Sequence, residues 1–181
     1  MSRRPRSGCY PGSFNPPTIA HLAIAEAARD QCQLDRVDLV VSRVALAKED
    51  VEHPPFDERI AILERVAATR PWLGVVVTEA QLLADVAAGY DVLVLGADKW
   101  VQIQDVVFYD GSEEARDAAL ARLPEVALVR RPPHELPPGL LVLDVPAELG
   151  EVSSTLARAG RSEFILPEGR APGGPAPSAP A

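Results

Sequence analysis

Short apolar runs alternate with amphipathic stretches along this chain, the pattern of repeated β-α units built around a parallel sheet. The first run, residues 7–10, breaks at once into Pro11-Gly12 and predicts a short strand. A helix is predicted over 17–32, with Pro17 suited to a first helical position. Residues 37–41 are β-branched between polar flanks and predict a second strand. Phe56, Ile60, Leu63 and Val66 keep helical spacing, Asp57 and Glu58 occupy the first turn, and Pro71 ends the run, so a helix is expected there. Strands are predicted at 75–77 and 92–95, with a helix over 80–88 closed by Gly89 between them. A helix from Ser112 to about Leu123, strands at 126–129 and 140–145, and a short helix from Ser153 or Ser154 to Gly160 complete the pattern. The fold class is α/β, an open parallel sheet with helices on both faces. One domain is expected over 1–166, and the Pro, Gly, Ala and Ser of 167–181 predict a disordered tail that builds no core.

Composition narrows the function classes. With 181 residues and 47% hydrophobic content the chain can bury one real core. Its net charge is -8, and its Lys and Arg residues are scattered, so neither a nucleic acid nor an anionic membrane surface is an expected partner. No apolar run approaches the roughly 20 residues of a spanning helix. The basic start lacks the apolar stretch of a signal peptide, so a cytoplasmic location is expected. Cys9 and Cys32 form neither a CxxC pair nor a Cys/His ligand set, and two buried reduced thiols are expected. Sixteen Arg stand against two Lys, at 48 and 99, which raises the question of what those lysines do. A homo-oligomer is left open.

Two polar clusters carry candidate chemistry. The first runs from Gly12 to Leu22, between the first strand and the first helix. Ligands of open α/β sheets bind at the carboxyl ends of strands, where helix N-termini offer N–H groups to anions. Gly12 permits close backbone approach. Thr18 and His21, three apart, are expected to face one phosphate, and an imidazole there can donate to charge developing on a phosphoryl oxygen. The second cluster is Glu151-Val152-Ser153-Ser154-Thr155-Leu156-Ala157-Arg158. Its hydroxyls and N–H groups open a helix, and the Arg158 guanidinium fork matches phosphate. Either cluster alone reads as an ordinary capped helix; the pair within one α/β domain points to a polyphosphate.

GSFNPPTIAHL resembles the G-[ST]-F-[DN]-P-x-[HT]-x-G-H motif of the HxGH nucleotidylyltransferase superfamily, and VSSTLAR resembles its I-S-S-T-x-x-R motif. Gly96-Ala97-Asp98 is similar to the G-[AT]-D segment of nicotinate or nicotinamide mononucleotide adenylyltransferases. The resemblance spans about Gly8 to Pro167 and implies a Rossmann-like fold. It further implies transfer of an adenylyl group from ATP to a small phosphorylated acceptor, with Mg²⁺ riding on the triphosphate. On this resemblance His21 stabilises the transition state with Thr18 beside it, and Ser153, Ser154, Thr155 and Arg158 grip the β- and γ-phosphates. Gly12, Ser13, Phe14 and Gly96 line the nucleotide.

Lys48 either contacts phosphate or is a loop charge. Asp98 either contacts acceptor or ribose, or closes a strand end; Trp100 either stacks on a pyridine ring or packs; Arg131 either meets a substrate or lies on the surface. His53 and His134 carry no expected role. Ala20 stands where the motif has Gly, adding a methyl near the phosphate path. Glu79-Ala80-Gln81-Leu82-Leu83 stands where pyridine nucleotide enzymes carry Tyr-Thr-x-Asp-Thr. Thr18 with Lys48, Phe56 and Glu58-Arg59 keeps a phosphopantetheine adenylyltransferase as the alternative, and the departures keep a catalytically idle nucleotide-binding module as another.

Overall fold

The computed structural model describes residues 3–44 and 54–170. Six strands form one parallel sheet: β1 (Ser7–Pro11), β2 (Arg36–Ser42), β3 (Leu73–Thr78), β4 (Val92–Gly96), β5 (Glu125–Val129) and β6 (Leu141–Val142), in the spatial order β3-β2-β1-β4-β5-β6. β1 pairs with β2 on one side and β4 on the other, Gly8 standing opposite Val37 and Val92. The direction of winding therefore reverses between β1 and β4. A crevice opens at such a switch point, beyond the carboxyl ends of the two strands.

Alternation along each strand divides the core in two. Tyr10, Leu39, Val41, Val92, Val94 and Val129 pack on one face, under α1 (Ile19–Gln31) and α2 (Phe56–Ala68). Cys9, Val40, Leu93, Leu95, Val126 and Leu128 pack on the other, under α3 (Leu83–Val86), α4 (Ala97–Gln102) and the end of α5 (Glu113–Leu120). Strands buried on both faces read as unbroken apolar runs, which is why they were legible. Both thiols are free and buried, and burial pushes Cys9 up to about 12, so neither is a nucleophile at neutral pH. One buried carboxylate, Asp38, is satisfied by Arg36 Nε at 2.6 Å and the Tyr90 hydroxyl at 3.0 Å. No helix among the described residues is long and apolar enough to cross a membrane.

Three expectations need correction. The helix expected over 80–88 is a single turn, Leu83–Val86. Ala80 spends its backbone groups elsewhere: its N–H donates to Thr78 Oγ1 at 3.1 Å and its carbonyl accepts from Ser42 Oγ at 2.7 Å. The last strand is Leu141–Val142 rather than 140–145. Past the expected boundary at 166, Pro167–Gly169 form a 3-10 turn held on α2, with Arg70 Nη1 on Glu168 Oε1 at 3.0 Å and Arg65 Nη2 on the Glu168 carbonyl at 3.0 Å. The tail beyond Arg170 lies outside the described residues.

Candidate active site

Gly12 comes directly after β1, and a Cβ there would meet the Phe14 ring at 2.9 Å, so the turn admits only glycine without a shift. Phe14 itself takes a left-handed conformation, φ 47°, which turns its ring inward to an edge contact with Tyr10 at 5.3 Å and with His21 at 5.1 Å. Helix α1 then begins later than expected after Pro17, with Thr18 as its cap rather than inside its first turn.

That cap decides the chemistry of His21. The Thr18 N–H donates to His21 Nδ1 at 2.9 Å, and the Thr18 hydroxyl lies 2.9 Å from the same nitrogen. A nitrogen that accepts a backbone N–H carries no proton, which leaves the proton on Nε2. Burial, reinforced by the nearby Arg131 guanidinium, lowers the imidazole to about 4. At neutral pH His21 is therefore an uncharged donor through Nε2. Thr18 is fully buried, its hydroxyl lies against the imidazole, and it is not among the residues that wall the crevice. Ala20, which stands where the motif has Gly, is 1% exposed and is not among the residues that wall the crevice.

The second cluster reaches the first. Ser153 caps α6 (Ser154–Arg158) through Leu156 N–H at 3.2 Å. Ser154 Oγ donates to the Pro16 carbonyl at 2.8 Å, and Arg158 Nη1 donates to the Asn15 carbonyl. Thr155 Oγ1 accepts from Arg158 Nη2 at 3.4 Å. Residues 138 and more apart in sequence thus share one loop. Arg131 fastens the same region from just past β5, donating to the carbonyls of Gly150 at 3.0 Å and Val152 at 3.4 Å. The chain's C-terminal part closes the arrangement, with Leu166 N–H on the Pro17 carbonyl at 3.1 Å.

A cavity of about 430 Å³ lies at the switch point, walled by Gly12, Ser13, Phe14 and His21 on the β1 side and by Asp98 and Lys99 on the β4 side. Gly96 leaves room for the Asp98 carboxylate and the Arg131 stem beside it. A second cavity, about 600 Å³ and mostly apolar, opens by Ile24, Val129, Arg131, Val145 and Gly150. Trp100 lies at neither: it packs on the second core cluster, near Leu123 and Glu125 at the opposite end of the sheet. Lys48 and His53 lie outside the described residues.

The cavity wall also carries Lys99, Arg59 and Gln81, which the sequence had singled out without a site role, and Arg43, which it had not. The scarcity of lysine was a usable signal for Lys99. Nothing distinguished Arg43 among sixteen arginines.

The cytidylyltransferase-like family model matches residues 9–160. Among similar curated proteins is a probable nicotinate-nucleotide adenylyltransferase of Salinibacter ruber, 39% identical over 64 residues, 35% of this chain and 33% of that protein. A protein of the same name from Syntrophotalea carbinolica is 38% identical over 64 residues, 35% of this chain and 29% of that one. The chain is thus matched to about a third of the length of these two relatives. A third so named, from Solibacter usitatus, is 28% identical over 178 residues, 87% of this chain and 90% of that protein. Among solved structures, the Plasmodium falciparum nicotinic acid mononucleotide adenylyltransferase complexed with APC superposes with a TM-score of 0.61 at 14% identity, covering 86% of this chain and 83% of that one. At that identity the likeness establishes the shared fold.

Proposed function

The chain belongs to the cytidylyltransferase-like family, and from that premise we propose that it transfers the adenylyl group of ATP to nicotinate mononucleotide, releasing pyrophosphate. The observation that carries this reading is the junction of the two polar clusters: α6 is tied by Ser154 and Arg158 to the carbonyls of Pro16 and Asn15, just ahead of His21. Such a junction lets one polyphosphate be held from both sides. The name shared by the three curated relatives supports the choice of acceptor.

In this reading the nucleoside lies toward the larger cavity, the triphosphate crosses the start of α1 toward α6, and the acceptor fills the 430 Å³ cavity. That volume falls within the roughly 300–1,000 Å³ of small-molecule sites. An oxygen of the acceptor's 5′-phosphate attacks the α-phosphorus in line. The new P–O bond forms as the bond to the bridging oxygen breaks, and pyrophosphate leaves with that electron pair. No proton transfer is required of the protein, and a neutral His21 suits this: its Nε2–H donates to the α-phosphoryl oxygen as charge builds there. Thr18 fixes the ring, while Arg158, Ser153, Ser154 and Thr155 take the β- and γ-phosphates. Gly12 and Ser13 approach the nucleotide with their backbone, as Gly96 does from β4. Lys48 would add a phosphate contact and Asp98 a ribose or acceptor contact.

Magnesium enters as part of the substrate. Among the described residues no three His, Cys, Asp or Glu side chains converge, and Asp98 is the one carboxylate on the smaller cavity's wall. A Mg²⁺ there keeps mainly phosphate oxygens and water as ligands. Incubation with ATP, Mg²⁺ and nicotinate mononucleotide should give pyrophosphate and a dinucleotide in equal amounts. Their absence at substrate concentrations well above the millimolar range would reject the reading.

A further inference from the structure

The walls of the smaller cavity differ in charge. On the β4 side Asp98 brings a carboxylate, and Lys99 Nζ is held by Gln102 Oε1 at 2.5 Å. The wall contributed by β2, α2 and the segment before α3 holds Arg43, Arg59 and Gln81 and, among the described residues, no carboxylate. Arg43 stacks over the Phe56 ring, its guanidinium carbon 4.4 Å from the ring centre. Cation–π attraction over an aromatic face holds a guanidinium in place while leaving its N–H donors open to further partners. Its ion pairs are long, Nε to Glu79 at 3.5 Å and Nη1 to Asp57 at 3.9 Å, and both carboxylates are mostly exposed, 74% and 92%. Beyond these two long ion pairs the Arg43 side chain makes no hydrogen bond among the described residues, so it is positioned with donors to spare.

The inference rests on nicotinate mononucleotide as acceptor, a molecule that brings two anionic groups into this cavity. The phosphate must sit beside His21 to attack. The carboxylate on the pyridine ring must then meet another wall, and the β4 side offers it the Asp98 charge. We infer that Arg43, held over Phe56, binds the acceptor's ring carboxylate through its guanidinium fork and makes the enzyme select the acid over the amide form of the mononucleotide. A fork matches a planar carboxylate with two parallel bonds, whereas a carboxamide offers one acceptor and turns an N–H against the cation.

The test compares kcat/KM for nicotinate and nicotinamide mononucleotides in the wild-type protein and in Arg43→Gln, Arg43→Lys and Arg59→Gln, each checked for folding by thermal unfolding. Loss of a charge-assisted contact should lower kcat/KM for the acid by about 10- to 100-fold in Arg43→Gln, through KM, with the amide changed by less than about threefold. Arg43→Lys, which keeps the charge and loses the fork, should recover part of the acid activity. Equal losses on both substrates, or no loss on either, overturn the assignment while leaving the reaction standing. A selective loss in Arg59→Gln with Arg43→Gln unaffected overturns it too. Wild-type protein inert with both mononucleotides overturns the reaction reading and this inference with it.

Discussion

Acidification from about pH 7 to about pH 5 should cost the folded protein about 2 kcal/mol through His21 alone. The imidazole titrates near 6.5 in an unfolded chain and is lowered to about 4 in the fold by burial and by Arg131. As pH falls, the unfolded chain therefore takes up the proton first. The stability carried by the neutral ring is fully present above 6.5 and drains away as pH falls toward 4. The whole shift corresponds to about 3.5 kcal/mol at about 1.4 kcal/mol per tenfold change, and somewhat more than half is spent by about pH 5. Urea unfolding followed by circular dichroism between about pH 7.5 and 4.5 measures this directly. His21→Asn supplies the comparison, since its amide oxygen still accepts the Thr18 N–H but does not titrate. Carboxylate titrations elsewhere are common to both proteins and cancel. The stability of wild type relative to the variant should fall by about 2 kcal/mol between pH 7 and 5. Curves that stay parallel would refute the neutral, half-buried imidazole, and with it the argument that His21 acts as an uncharged donor.

The same geometry fixes two further outcomes. His21→Ala should lower kcat by roughly 10²–10³, and His21→Gln, which returns an N–H near the place of Nε2, should recover part of it; an unchanged rate would remove His21 from the transition state. Gly12→Ala forces its methyl against the Phe14 ring at 2.9 Å, so about 1–3 kcal/mol of stability should be lost in urea titrations along with a rise in the KM for ATP.

What the amino-acid pattern could reveal depended on whether local or distant forces decided each feature. Helix α2 was legible because one apolar stripe, two acidic first-turn residues and Pro71 all agree. The two polar clusters were legible because their residue types are costly without a ligand or a cap. The helix at 80–88 was overread because its periodicity says nothing of Ser42, whose hydroxyl claims the Ala80 carbonyl from another strand. Thr18 was expected to face phosphate because its side chain could turn either way, and the capping bond with His21 turned it inward. Trp100 suits a pyridine ring by chemistry alone; its place on α4 sends it to the core instead. Arg43 stands out only through Phe56, thirteen positions on, whose ring lies beneath its guanidinium.

The pairing of Gly8 with Val92 has a kinetic consequence. The crevice exists only between strands joined across half the chain, and neither half-sheet contains it. Contacts of such separation close late, because the intervening chain must first give up its freedom. Nucleotide affinity should therefore emerge with the last step of refolding, and a ribosome-bound chain that stops short of β4 lacks one wall of the crevice and all of α6.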